Sequence, residues 1–163
     1  MYKRFYLKKK PKKTYEYQYR PRQHNFLKYW RVVKYYIKEK YQISEPEIEM
    51  LLFLYDENVF SKKDFNWFSA TMSWDKKRFS KMVDDGYIKI WRNRRETQKS
   101  ALYELTIKSK RICNHLYKKL MQEEVISEDP YRNEIFKGKS YMDKIYKSVI
   151  KKMNSSTQSR NDL

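Results

Sequence analysis

Ser73-Trp-Asp-Lys-Lys-Arg-Phe-Ser-Lys-Met-Val-Asp-Asp-Gly86 runs into Tyr87-Ile-Lys-Ile-Trp-Arg92, then through a basic polar stretch to Ser100, then into Ala101-Leu-Tyr-Glu-Leu-Thr106. The first segment has a helical period: Phe79, Met82 and Val83 recur at i, i+3 and i+4 and make one apolar stripe. Ser73 can cap its N-terminus by accepting from an unpaired backbone N–H, and Gly86 can end it because glycine takes positive φ without steric penalty. With the stripe inward, Trp74, Lys77 and Lys81 point outward, with Arg78 and Ser80 on the flanks. The helix face is therefore basic where the helix begins, and Asp84 and Asp85 sit at its far end. The N-terminal half of a recognition helix is the half that meets DNA base edges.

After Gly86 the period becomes two, with Ile88 and Ile90 on one side and Tyr87, Lys89 and Trp91 on the other. Leu102 to Leu105 is the partner strand. Between the strands Arg92, Arg94, Arg95 and Lys99 face a single Glu96, so the hairpin tip is strongly positive. Helix, two-stranded hairpin and basic tip together resemble a winged helix-turn-helix.

Over roughly Phe26 to Val125 the order of elements resembles the MarR-like family of transcription regulators. Gly86-Tyr87-Ile88 is similar to the family's Gly-aliphatic step from recognition helix to wing, and Leu105-Thr106 to its Leu-Thr exit into a long helix. Two positions depart: Ser109 stands where the family often has glycine, and the family's Asp-x-Arg wing pair has no clear counterpart. The resemblance implies a mostly α chain with a small two-stranded antiparallel wing, a winged helix-turn-helix with extra N- and C-terminal helices. It also implies a dimer joined through those terminal helices. A small-molecule effector is common in the family, and its pocket lining is not identifiable here.

Residues 1–22 read as a flexible arm whose basic residues, Lys8, Lys9, Lys10, Lys12 and Lys13 among them, are interleaved with Tyr2, Phe5, Tyr6, Tyr15, Tyr17 and Tyr19, and Pro11 and Pro21 break any long helix. Such an arm can follow a phosphate backbone or stack on unpaired bases, or it can be a solvated tail. Residues 23–125 form the winged-helix domain. Its first helix carries the stripe Phe26, Tyr29, Trp30, Val33, Ile37 and Tyr41, opposite Lys28, Arg31, Lys34 and Lys38. That stripe suits a core helix as well as a dimer contact. Ser44 and Glu47 are spaced as a capping box around Pro46, opening a helix that is apolar nearly all round from Ile48 to Tyr55. Ser61 to Asp64 starts a short helix with Phe65, Trp67 and Phe68, which turns near residues 70–72. Thr106 can cap a long helix to about Val125, with Ile112, Cys113, Leu116, Leu120 and Met121 as its stripe. Residues 126–153 are a helical extension for dimerisation, with a break at Glu128-Asp129-Pro130 and a last helix from about Tyr141 to Met153. Residues 154–163 read as a disordered tail.

The chain has 163 residues, enough for one domain with a real core. Its 38 Lys and Arg against 20 Asp and Glu give a formal charge of +18. That is a statement about partners, and a polyanion is the expected one. An A/T-rich coding sequence explains many lysines but would also raise glutamate.

The single Cys113 cannot form an internal disulfide, and His24 and His115 have no ligand-like neighbours, so no metal and no cofactor are expected. The longest apolar run, Met50 to Tyr55, is far short of a membrane span. With no secretory signal either, a soluble, cytoplasmic, nucleoid-associated protein is expected.

Catalysis is not expected. Gly86 and Gly138 are the only glycines, which excludes a Gly-rich phosphate loop, and no hydrolase or metalloprotease motif is present. The leading reading is a sequence-preferring duplex-DNA-binding protein, dimeric and acting in transcription control. In it Ser73, Trp74, Lys76, Lys77, Arg78, Ser80 and Lys81 belong to the reading helix. Lys77 and Arg78 donate to guanine, Lys81 meets a phosphate, and Arg92, Arg94, Arg95 and Lys99 lie over a minor groove. Trp74 has two placements open, on a sugar or thymine methyl, or in the turn as its anchor. The alternatives are an architectural or packaging protein and a winged-helix protein-interaction module in a larger nucleoprotein assembly.

Overall fold

The computed structural model describes residues 26–72, 74–93 and 100–161, without the side chains of Lys76 and of residues 159–161. Helix α1, Phe26–Tyr41, buries Tyr29, Val32, Val33, Tyr36 and Ile37. These fall at i, i+3, i+4, i+7 and i+8, so the true stripe is rotated from the one expected. Phe26 is exposed and Trp30 only half buried, and Val32 and Tyr36 take their places.

Helix α2, Glu45–Glu57, starts at the capping box of Ser44 and Glu47 with Pro46 in its first turn. The Glu47 carboxylate accepts from Ser44 N at 2.8 Å and from Ser44 Oγ at 2.7 Å. Ile48, Met50, Leu51 and Leu54 put α2 in the core.

Strand β1, Val59–Ser61, leads into helix α3, Lys62–Met72. Asp64 closes the start of α3 by accepting from Ser61 N and Oγ, at 2.9 and 2.7 Å. Helix α4, Lys76–Asp84, precedes strands β2, Ile88–Arg92, and β3, Leu102–Leu105. The sheet is three-stranded and antiparallel, in the order β1-β3-β2. This corrects the two-stranded expectation. Three residues are too few to show alternation, so β1 is visible only through its pairing of Phe60 with Tyr103.

Helix α5, Ile107–Leu120, has Thr106 as its N-cap, as expected. It ends earlier than Val125, because Gln122 adopts φ +61° and Glu123 N returns to Lys118 O at 2.9 Å. The same closure ends α4. There Gly86 takes φ +74°, and Tyr87 N donates to Met82 O at 2.9 Å.

A short 3-10 helix, Glu134–Lys137, then places Ile135 in the core. Helix α6 runs Tyr141–Asn161, well past Met153, so residues 154–161 are helical and not a disordered tail. Polarity misleads there because the polar groups are used inside. The buried Asn154 accepts from Ile126 N at 2.9 Å and donates to Ile126 O at 2.8 Å, and Thr157 is buried beside it. Helices α1, α2, α5 and α6 thus form one packed block, and the sheet holds α4 against it.

Candidate nucleic-acid interface

Helix α4 begins at Lys76, later than the sequence suggests, and its cap is Asp75, whose carboxylate accepts from Lys77 N at 2.9 Å. Ser73, the expected cap, lies outside the described residues. Trp74 was expected on the outer face and is only 8 % exposed. It precedes the helix, so the 100° rotation does not apply to it. Its ring meets Phe53 edge-on at 5.4 Å and stacks on Phe65 at 6.5 Å. Its N–H donates to Ser69 O at 2.9 Å, and Ser69 Oγ donates to Trp74 O at 2.7 Å. Trp74 is therefore the anchor of the turn between α3 and α4.

Phe79 and Met82 are buried and Val83 half buried, as the stripe requires, so Lys77, Ser80 and Lys81 face out and Arg78 is half buried at the edge. Lys81 is not unengaged, however. Its ammonium lies 2.7 Å from Glu47 and 3.9 Å from Asp85. Burial alone would raise the Glu47 pKa, but the hydrogen bonds from Lys81 and Ser44 outweigh it and hold the carboxyl at about 2. The same pairing lifts Lys81 above its ordinary value. Nothing in the sequence pairs residues 47 and 81, which lie on different helices.

Ser44, Glu47, Asp75, Lys77, Arg78 and Lys81 line an open groove of about 390 Å³. Ser44 and Asp75 are the N-caps of α2 and α4, so two helix N-termini with their partial positive charge converge on it. Glu47 is already saturated by Ser44 and Lys81. Lys77 and Arg78 are the lining cations without a carboxylate partner among the described residues.

The wing is braced differently from the expected pattern. Glu104 on β3 is shared between Lys89 of β2 at 2.9 Å and Lys110 of α5 at 3.5 Å. Ser109, where the resembled family often has glycine, is fully buried and donates to Tyr87 O at 2.6 Å. Thr106 Oγ1 donates to Gly86 O at 2.9 Å, so two hydroxyls hold the step from α4 into β2. Tyr87, expected outward, is buried under Lys108, whose ammonium stands 4.0 Å above its ring.

Ile88 is buried but Ile90 on the same face is exposed, since the core ends between them. The Arg92 guanidinium lies 5.5 Å from the Trp91 ring. Arg94, Arg95 and Lys99 of the tip, and Lys8, Lys9, Lys10, Lys12 and Lys13 of the arm, lie outside the described residues. On α3, Trp67 is 66 % exposed, an outward aromatic on a helix whose Phe65 and Phe68 are buried.

Two other titratable groups are inert by environment. Burial pushes the Cys113 thiol up to about 12. Burial, with Lys40 and Lys119 nearby, lowers His115 to about 4, and Tyr41 Oη sits 3.0 Å from its Nδ1. Among the described residues no group of three or more His, Cys, Asp or Glu could hold a metal, and no helix is long and apolar enough to cross a membrane. No protein-family model matches the chain, and no curated protein or solved structure matches it either.

Proposed function

We propose that this chain is a winged-helix protein that binds duplex DNA with sequence preference, a dimeric regulator of the MarR-like kind. The observation that carries the reading is the placement of α4. Its apolar stripe is buried, with Phe79 against Phe65 of α3 at 4.5 Å and Tyr103 of β3 at 5.1 Å, while Lys77 and Arg78 stand in its first turn beside the groove and Ser80 faces outward. A short helix held rigidly at its base, with cations where it begins, suits insertion into a major groove.

The chain order of elements supports the same reading: α1, α2, β1, α3, α4, the β2–β3 hairpin, then α5 and α6. In this assignment α3 lies across the backbone, α4 enters the major groove, and the hairpin reaches the neighbouring minor groove. Lys77 and Arg78 donate to bases or phosphates, and Lys81 is held back by Glu47. The dimer contact uses α1 and α6, where Val32, Met142, Ile145, Tyr146 and Val149, together with Lys28 and Arg31, line an open groove of about 330 Å³.

Selection from a pool of random duplexes at about 150 mM salt tests the reading. Enrichment of a two-fold symmetric site, with half-sites about one helical turn apart, is expected. The architectural reading has one observation in its favour: residues 1–22 carry nine basic residues against Glu16 alone. Retention without enrichment would select it, and absence of any retention would refute both.

A further inference from the structure

Strand β2 carries an irregularity that the DNA-binding reading does not use. Ile90 pairs with Tyr103 and Arg92 with Leu102, so Trp91 is an extra residue with no cross-strand partner. A bulge of this kind bends the strand and increases its twist, re-aiming the side chains around it. Ile90 is 50 % exposed and Trp91 52 % exposed, adjacent large apolar groups at the outer end of a short strand. Arg92 lies against the indole, and its Nε is shielded from solvent without a hydrogen-bond partner among the described residues.

We propose that Ile90 and Trp91 form an apolar wedge that enters the DNA minor groove and partly opens a base step. The inference rests on the duplex-binding reading and adds to it a deformation of the duplex. Charge argues for DNA as the occupant. On β2 the Lys89 ammonium is already committed to Glu104. Arg92, whose guanidinium lies against Trp91, has no carboxylate partner among the described residues, and the sequence that follows holds Arg94, Arg95 and Lys99 against Glu96 alone. Apolar groups beside a cation, in a basic stretch of sequence, fit a ligand whose stacked bases lie between rows of phosphates. A strand edge also suits the minor groove, about 6 Å wide, which does not admit a helix. Wedges of this chemistry unstack a step and kink the duplex. The bulge supplies the mechanism, since an unpaired residue projects without breaking the pairs on either side.

The test uses the full chain and the duplex enriched by selection, with a donor and an acceptor dye at its two ends and 2-aminopurine at successive positions. Wild type should shorten the end-to-end distance and raise the 2-aminopurine signal at one step in each half-site. Trp91→Ala should abolish both signals and weaken binding by about tenfold, and Trp91→Phe should retain most of each. Because Trp91 is half exposed, both variants should keep the wild-type circular dichroism. The 2-aminopurine signal reads the wild type alone, so it stands even if a variant misfolds. A wild-type complex with a straight duplex and no 2-aminopurine change overturns the wedge and leaves DNA binding intact. So does a Trp91→Ala variant that binds and bends within twofold of wild type, the outcome expected if this surface serves a protein. Failure of the wild type to retain any duplex refutes the wedge together with the reading beneath it.

Discussion

Replacing Glu47 by Gln separates two roles that the carboxylate combines. One is local: it accepts from Ser44 at the start of α2, and a glutamine amide oxygen can continue to do so. The other is remote: its charge holds Lys81 of α4 at 2.7 Å. Glu47→Gln keeps the first and removes the second. Lys81 is 61 % exposed, so water screens the ion pair, its contribution to stability is small, and the variant should fold. The freed ammonium then becomes available to a phosphate. One additional phosphate contact steepens the dependence of log K on log salt by about 0.9 and tightens binding roughly fivefold at about 150 mM salt.

Fluorescence anisotropy on the selected duplex over a salt series measures both quantities. Lys81→Ala alone should change the slope little, because Lys81 is engaged with Glu47. In the Glu47→Gln background the same substitution should return the slope by about 0.9. The sign with pH follows from the depressed Glu47 pKa. Its stabilising contribution is fully present above the ordinary value of 4.5 and is lost only as pH falls through about 2. Lys81 titrates above its usual 10.5, so the difference between variant and wild type should be constant from about pH 6 to pH 9. A Glu47→Gln protein that folds normally and binds with unchanged slope and affinity would remove Lys81 from the interface.

Four further outcomes concern stability. Trp74→Ala empties the space between Phe53 and Phe65 and should cost about 3–5 kcal/mol in urea unfolding; a cost under about 1 kcal/mol would return Trp74 to the surface. Ser109→Gly removes the hydroxyl from Tyr87 O and adds the glycine cost of a helical position, for about 2 kcal/mol, and Ser109→Ala should recover roughly half of it. Asn154→Ala leaves Ile126 N and O buried without their partner and should lower stability by about 3 kcal/mol. A chain ending at Met153 should lose at least as much, and an unaffected thermal midpoint in that truncation would show α6 to be dispensable beyond Met153.

Where local period and caps decide an element, the sequence was readable. Ser44, Gly86 and Thr106 mark helix ends through their own backbone chemistry, and Phe79 and Met82 face inward because their spacing leaves no other face. Where a contact crosses the chain, it was not. β1 is fixed by pairing with a strand more than 40 residues away, Asn154 is recruited by Ile126, and Lys81 is held by Glu47. Of the two placements the sequence left open for Trp74, the structure shows the turn anchor; the outward one came from extending a helical wheel onto a residue just outside its helix. Each polar group misplaced outward had found a partner at long range, and composition carries no trace of such partners.

The same reasoning changes what the net charge means. Of the 38 basic residues, nine lie in residues 1–22 against Glu16, and four in residues 92–99 against Glu96. More than half of the +18 is therefore concentrated in these two segments, and the remainder of the chain keeps +7, with 25 basic residues against 18 acidic. The folded block shows how many of those remaining cations are used. Lys34 bridges Glu45 and Glu49 between α1 and α2, Lys119 is buried against Glu124 and Val125 O, and Lys89 and Lys110 share Glu104. These lysines hold helices and sheet together and contribute little field at a distance. At α4, by contrast, Lys77 has no carboxylate partner among the described ion pairs, and Arg78 borders the groove with only Asp75 and Glu47 as acidic neighbours, the latter saturated. On the proposed duplex-binding reading, the basic sequence of residues 1–22, that of residues 92–99 and the first turn of α4 would each take up phosphates. Neutralising any one of them should reduce the salt slope by about 0.9 for each phosphate it contacts and leave the contribution of the others.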